Sequence, residues 1–296
     1  MGKHFSSVDL WLLGVVFIWG INFSIVKTTL REMSPLSFNS LRFALAVTLV
    51  FSILRLTEKD LTVERRDWPK FLFLGFIGNT LHQIFFIKGI YLTTASNSAL
   101  ILSIGPVFVA LLNVVFRLEK VSLFNWYGIL LSFLGVFLII LGGTQGKGLS
   151  FSKEYLQGDL LTLAAAFFWS VRIVFSKPLL QKYSYLKVTT CIMACGTPFL
   201  ILASVKELAH QDWSRVSFYG WLGFVYSFSL AIAGSYIIWH MGLKKIGSAK
   251  TAVYSNLTPV VSVVFAWLFL GEHLTLLQGL GGIAILGGIY LTRLSR

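Results

Sequence analysis

A duplication constrains this chain more than any other feature. Shifting the segment from Asp9 to Leu54 forward by 150 positions pairs Asp9 with Asp159, Leu10 with Leu160, Trp19 with Trp169, Lys27 with Lys177 and Ser34 with Ser184. An offset of 153 then takes over. It pairs Trp68 with Trp221, Gly89 with Gly242, Ala99 with Ala252, Pro106 with Pro259, Glu119 with Glu272, Gly128 with Gly281 and Gly135 with Gly288. Each copy carries five apolar stretches, and an odd number of crossings obliges the second copy to enter a membrane upside down. Inverted repeats of this kind are a recurrent build of secondary transporters, with the site at the repeat interface.

The stretches approach the roughly 20 residues that about 30 Å of hydrocarbon requires. They run from Val8 to Thr28, Pro35 to Arg55, Pro69 to Lys88, Ala95 to Phe116 and Ser122 to Leu141, then from Gly158 to Lys177, Lys187 to Lys206, Val216 to His240, Ser248 to Leu270 and His273 to Arg293. A hydrophobic fraction of 56% and a charged fraction of 12% agree with this class. The predicted fold is an all-α membrane protein of ten transmembrane helices, arranged as two inverted five-helix repeats over residues 1–146 and 147–296. The connections are too short to fold as further domains.

A net charge of +13 would raise nucleic-acid binding in a soluble chain, but here the basic residues gather at span ends. Of 25 Lys and Arg, sixteen fall on the N-terminal side of the membrane and seven on the other, with Arg42 and Arg172 inside spans. The positive-inside bias therefore places both termini in the cytoplasm. The start MGKHFS fits the myristoylation pattern, yet ten spans need no acyl anchor. The first span is long for a signal peptide and has a repeat partner, which argues against cleavage. Cys191 and Cys195 lie one helical turn apart and read as packing residues, and no His or further Cys completes a metal set.

Trp19 to Lys27 (WGINFSIVK), Pro35 to Ala46 (PLSFNSLRFALA), the run from Gly89 to Leu112, and Glu119 followed by Gly128 and Gly135 form one set of motifs. Ser248 to Leu274 and the glycines from Gly279 to Gly288 continue it in the second half. In order, spacing and duplication the chain resembles the EamA family of the drug/metabolite transporter superfamily over nearly its full length. The resemblance implies a ten-helix carrier with a central cavity, alternating access, and export of amino acids or related metabolites. It implies no single substrate. The second copy departs from the first where Gly20 is matched by Ser170 and Asn22 by Arg172, so the two halves of the cavity are chemically unequal.

Polar side chains in hydrocarbon ask for a partner or a purpose. Asn22 and Arg172 each follow the paired tryptophan, Trp19 or Trp169, by three residues and so share its helix face. Two placements are open to Arg172: the central cavity, or the surface near Lys177, reached by snorkelling. In the third span Asn79, His82, Gln83 and Phe86 form a stripe at i, i+3, i+4 and i+7. His82 and Gln83 are matched by Ser235 and Tyr236, with Trp239 beyond. The fourth and ninth spans carry Asn97, Ser98 and Ser103 before Pro106, and Tyr254, Ser255 and Asn256 before Pro259, where each helix is expected to bend. Trp19, Asn22, Asn79, His82, Gln83, Asn97, Trp169, Arg172, Tyr236, Trp239, Tyr254 and Asn256 are the candidate substrate or gate residues, and Pro106 and Pro259 the candidate hinges. Glu119 and Glu272 read as helix caps or partners of a nearby base. The glycines of the fifth and tenth spans would serve close helix contact equally within one chain or between two.

All twelve Asp and Glu fall at span ends or in loops, which disfavours coupling or cation recognition through a buried acid. Arg172 and His82 favour a zwitterionic or anionic solute. The loop GGTQGKG (Gly142 to Gly148) lacks the Gly and Ser or Thr of a phosphate-binding loop. No cofactor, metal or nucleic acid is expected as a partner, only a small solute and the bilayer. A secondary exporter leads, with an uptake permease of the same fold as its alternative. An intramembrane enzyme would need a catalytic constellation and a channel a continuous polar path, and neither is evident.

Overall fold

The computed structural model describes residues 7–116, 123–142, 153–246, 251, 254–255 and 257–294. Helices α1 (Ser7–Thr29), α2 (Pro35–Thr57), α3 (Arg65–Leu92), α4 (Ala95–Val115) and α5 (Leu123–Gly142) make the first half. The second half comprises α6 (Lys153–Lys182), α7 (Tyr185–His210), α8 (Phe218–Ile246), α9 (Thr258–Leu270) and α10 (Leu276–Leu294). Seven are long and apolar enough to cross a membrane, while α5, α9 and α10 are shorter apolar helices over the described residues. The chain is a multi-pass membrane protein of duplicated halves. The expected division at 146/147, Glu119 and most of the Gly142 to Gly148 loop lie outside the described residues.

Residues one repeat apart touch each other through the middle of the bundle. The Trp19 and Trp169 rings stand 5.9 Å apart, Gln83 Nε2 donates to the Tyr236 hydroxyl at 2.9 Å, and Ser132 Oγ donates to the Ile285 carbonyl at 3.3 Å. Each pair is related by the sequence offset of its segment, so the three contacts trace the pseudo-two-fold axis. Where α5 crosses α10, Gly135 meets Gly281 and Gly128 meets Gly288, a reciprocal pairing that the axis requires. Glycine lets the backbones approach there, because a Cβ on Gly135 would stand 2.6 Å from the Gly281 carbonyl oxygen. These glycines are therefore used within the monomer.

The helix ends repeat the symmetry with altered chemistry. α1 runs from a first face of the bundle to a second, and α6 runs back. On the second face Glu32 accepts from the Ser217 N–H and hydroxyl at 2.7 and 2.9 Å, which caps α8. Its repeat partner on the first face, Lys182, instead donates to Asp67 at 2.6 Å at the start of α3. The Ser34 N–H donates to Gln211 at 2.6 Å, and the equivalent Ser184 hydroxyl donates to Glu58 at 2.5 Å. Glu272 is a helix cap, as its position suggested. Its carboxylate accepts from the N–H groups of Ala95 and Ser96 at 3.0 and 2.9 Å.

Both kinds of bend occur. α4 is interrupted at Ser103 and Ile104, and Pro106 lies in the first turn of its second piece, where its missing N–H is harmless. Pro259 holds the same place in α9. α3 and α8 also each widen into a π segment, Phe76–Leu81 and Ser227–Gly234, at repeat-equivalent positions. Pattern reading gave no sign of these segments. Substituting Gly135 with Val is expected to lower stability by about 1–3 kcal/mol through overpacking, while Gly279→Ala, which meets nothing within 4 Å, stays neutral. Thermal unfolding in detergent checks this, and equal melting temperatures for the two variants would refute the crossing.

Candidate functional site

The interface between the halves holds a partly open cavity of about 130 Å³. α1 supplies Trp19, Asn22 and Phe23, α2 supplies Arg42, α3 supplies His82, Gln83 and Phe86, and α6 supplies Trp169. Ser103 of α4, Tyr236 of α8, and Ser255, Thr258 and Pro259 at the start of α9 complete the polar and bent parts of the wall. These contributors include the helix breaks before the two prolines and the turns that follow the two π segments. Deviations from regular helix thus collect around the cavity, as π-bulges tend to at functional sites.

One hydrogen-bond chain organises the wall. Arg42 Nε donates to Asn39 Oδ1 at 2.8 Å, Nη1 to Ser227 Oγ at 2.9 Å and Nη2 to Gln83 Oε1 at 2.9 Å. Ser227 then donates to Asn22 at 3.2 Å and Gln83 to Tyr236 at 2.9 Å. The guanidinium also sits 4.9 Å from the Phe38 ring centroid and 5.7 Å from that of Phe86. Hydrogen bonds to a charge contribute about 1.5–3 kcal/mol each, which offsets the desolvation of a side chain only 1% exposed. The structure thereby fixes one positive charge in the cavity wall.

Much of the remaining wall is aromatic. Trp19 and Trp169 meet edge to face at 83°, and Tyr236 lies 5.4 Å from Trp169. The Trp19 indole is anchored by its Nε1 donating to the Ala231 carbonyl at 2.9 Å. His82 packs 5.1 Å from Trp169, and its Nδ1 lies 3.0 Å from the Ala165 carbonyl. The wall thus combines one cation and two amides, Asn22 and Gln83, with a set of rings.

The sequence candidates divide into three groups. Trp19, Asn22, His82, Gln83, Trp169, Tyr236 and Pro259 line the cavity. Arg172, Trp239, Asn79, Asn97, Tyr254 and Pro106 do not, and Asn256 lies outside the described residues. Arg172 is 1% exposed and does not snorkel; its guanidinium packs 5.1 Å from the Trp169 ring and 4.5 Å from the Tyr236 ring. Tyr254 donates to Asp9 at 2.5 Å on the first face. Asn97 belongs to a buried network at the second face, where its amide and the Thr93 hydroxyl donate to Asp159 at 3.2 and 2.6 Å and Gln278 donates to its carbonyl at 2.7 Å.

That network corrects one expectation. α6 begins at Lys153, so Asp159 is inside the helix and only 2% exposed, a buried carboxylate rather than a group at a span end. Arg42 was missed as a cavity residue, although two signals marked it. It is ionisable within an apolar span, and Asn39 precedes it by three residues on the same helix face.

The cavity thus lies between inverted five-helix halves, and comparison with known proteins agrees. The model of the EamA-like transporter family matches residues 6–141 and again 156–294. The chain belongs to the EamA-like transporter family. Among its relatives, an uncharacterized transporter of Archaeoglobus fulgidus is 30% identical over 97% of both chains. The transporter YyaM of Bacillus subtilis is 28% identical over 97% of this chain and 93% of its own. A protein of Salmonella typhimurium named a probable amino-acid metabolite efflux pump is 29% identical, over 94% of this chain and 91% of its own. A solved crystal structure at 18% identity superposes with a TM-score of 0.69 and covers 98% of this chain and 97% of its own, which establishes the shared fold.

Gln83 is the member of this EamA-family wall with partners on both sides. Its replacement by Leu leaves Arg42 Nη2 and the Tyr236 hydroxyl each short of a hydrogen bond, which is expected to cost about 1–3 kcal/mol. The readout is the unfolding temperature of purified Gln83→Leu, and an unchanged value would count against the network.

Proposed function

We propose that this transporter is a secondary carrier that exports small amino-acid-like solutes, zwitterions or anions bearing a carboxylate, by alternating access. The carrying observation is the cavity at the repeat interface with one fixed cation, Arg42, on an otherwise amide-lined and aromatic wall. A carboxylate complements the Arg42 and Asn22 side, and an apolar side chain suits Trp19, Phe23 and Trp169. Size supports the same reading. About 130 Å³ is near the ~150 Å³ of a cavity that admits benzene and below the roughly 300–1,000 Å³ of drug-sized pockets. The printed name of the Salmonella relative is consistent with amino-acid export.

In this reading the first face is cytoplasmic and the membrane is the bacterial inner membrane. The Lys and Arg bias supports the orientation. Lys70, Lys182 and Lys187 gather on that face among Asp60, Glu64 and Asp67. Trp19, Asn22, His82, Gln83, Trp169 and Tyr236 act as solute contacts. Pro106 and Pro259 act as the bends about which α4 and α9 move.

Counterflow in proteoliposomes tests the proposal with a matched pair of labelled probes, L-phenylalanine and phenethylamine, which differ only in the carboxylate. The expected outcome is exchange of the zwitterion without the amine. Arg42→Gln is expected to weaken apparent affinity by about tenfold or more, the equivalent of one charge-assisted hydrogen bond. Preferential exchange of the amine would overturn the carboxylate assignment, and exchange only against an inward gradient would reverse the direction.

A further inference from the structure

Among the described residues two arginines are buried within the membrane-spanning helices, and the fold treats them oppositely. Arg42 has a hydrogen-bond partner at each guanidinium nitrogen. Arg172 is equally buried, yet Nε, Nη1 and Nη2 make no well-aligned hydrogen bond, and its polar neighbour is the Tyr236 phenol. Other buried polar groups of α3 and α8 also lack hydrogen bonds: Trp239 Nε1, one turn beyond Tyr236 on α8, and both polar atoms of Asn79. Gly78 lies so close to Arg172 that a Cβ built on it would be 2.5 Å from the arginine Cβ, whereas the Asn79 side chain beside it packs on Gly196 of α7. Where α6 meets α8, a buried cation thus faces the rings of Trp169 and Tyr236, with an unbonded indole N–H one turn further along α8.

Position in the repeat explains what would bind there. Asn22 follows Trp19 by three residues along α1, and Arg172 follows Trp169 by three along the antiparallel α6, so the two stand on opposite sides of the tryptophan pair. The cavity lies on the Asn22 side. On the other side Ile173, Trp239, Leu12 and Val15 pack together and close the path. Inverted repeats rock around a central site and expose it to the two faces in turn, and exposure to the first face would open the Arg172 side of the tryptophan pair as the Asn22 side is open now. The cations are not repeat-equivalent: Arg42 is matched by Ile192 and Arg172 by Asn22. Each side of the tryptophan pair nevertheless carries one buried guanidinium.

We propose that Arg172 is the carboxylate-binding group of a second substrate subsite, formed when the carrier opens to the first face, with the Trp239 indole N–H as an accompanying donor. The proposal rests on the carrier reading above and extends it to the state in which solute is loaded for export. A solute carboxylate then leaves Arg172 for Arg42 during each cycle and meets a cation in both states.

Two measurements test it. The first needs no solute. An arginine held for function at the expense of stability predicts that Arg172→Met raises the unfolding temperature in detergent, while Arg42→Met, which strands three partners, lowers it. A fall for Arg172→Met as large as that for Arg42→Met would assign the guanidinium to structure and overturn the proposal. The second measures half-saturation for labelled L-phenylalanine from each face, in proteoliposomes of defined orientation. Arg172→Gln is expected to raise it about tenfold or more at the first face with little change at the second, and Arg42→Gln to do the reverse. Equal effects at both faces, or none at the first, would overturn the subsite. Absence of exchange by the unmodified protein would remove the carrier reading, and the proposal with it, before any variant is compared.

Discussion

Trp19 touching Trp169, Gln83 bonded to Tyr236 and Ser132 bonded to Ile285 are three instances of one constraint: positions that correspond in the two halves meet on the pseudo-two-fold axis. Duplication with inversion makes the interface self-complementary. A close approach on one side of the axis must have a counterpart on the other, as Gly135 with Gly281 has in Gly128 with Gly288. The axis also fixes where a cavity can sit. The paired tryptophans occupy its centre, so open space must lie to one side or the other, and Asn22 or Arg172 marks which.

Hydrocarbon adds a second constraint, that polar groups be satisfied by protein. Most comply. Asp159 is met by Thr93 and Asn97, the α3 end carbonyls of Ile90, Tyr91 and Thr93 by Lys27, and the α4 start by Glu272. Against this background the buried nitrogens of Arg172 are informative. Two cation–π contacts of about 2 kcal/mol each recover part of the several kcal/mol that desolvating a guanidinium costs, and they leave its N–H donors without well-aligned acceptors. That contrast with Arg42 is the ground on which a role in another state is proposed for it.

The sequence made the architecture legible because hydrophobic spans and a repeat offset are one-dimensional signals. The tryptophan pair and the Gln83–Tyr236 match followed from the same offset, and His82 from its helical stripe. The difference between the two arginines did not follow, since both are lone cations in apolar helices. What separates them is Ser227 and Gln83, which lie 185 and 41 residues from Arg42 in the chain and meet it only in the folded bundle. The Asp159 network was hidden for a similar reason. Its partners come from two other helices, and the α6 start was placed at Gly158 although the helix begins at Lys153. The π segments leave no periodicity that separates them from α-helix over six or eight residues.

A carrier of this design needs two states of similar energy, since a large gap would leave one access state too sparsely populated to cycle. Near-symmetry supplies that. The same positions that tie α1 to α8 on the second face tie α6 to α3 on the first, through Glu32 and Lys182. The chemistry differs, however. The first-face tie is a cluster of Asp67 with Lys70, Lys182 and Tyr183, whereas on the second face a single carboxylate caps a helix. The two ties thus differ in kind, ionic on the first face and helix-capping on the second, although they occupy equivalent positions. Duplication with inversion therefore keeps the two ends alike in position while leaving their chemistry free to differ, which is how one repeated scaffold can present unlike ends to the two sides of a membrane.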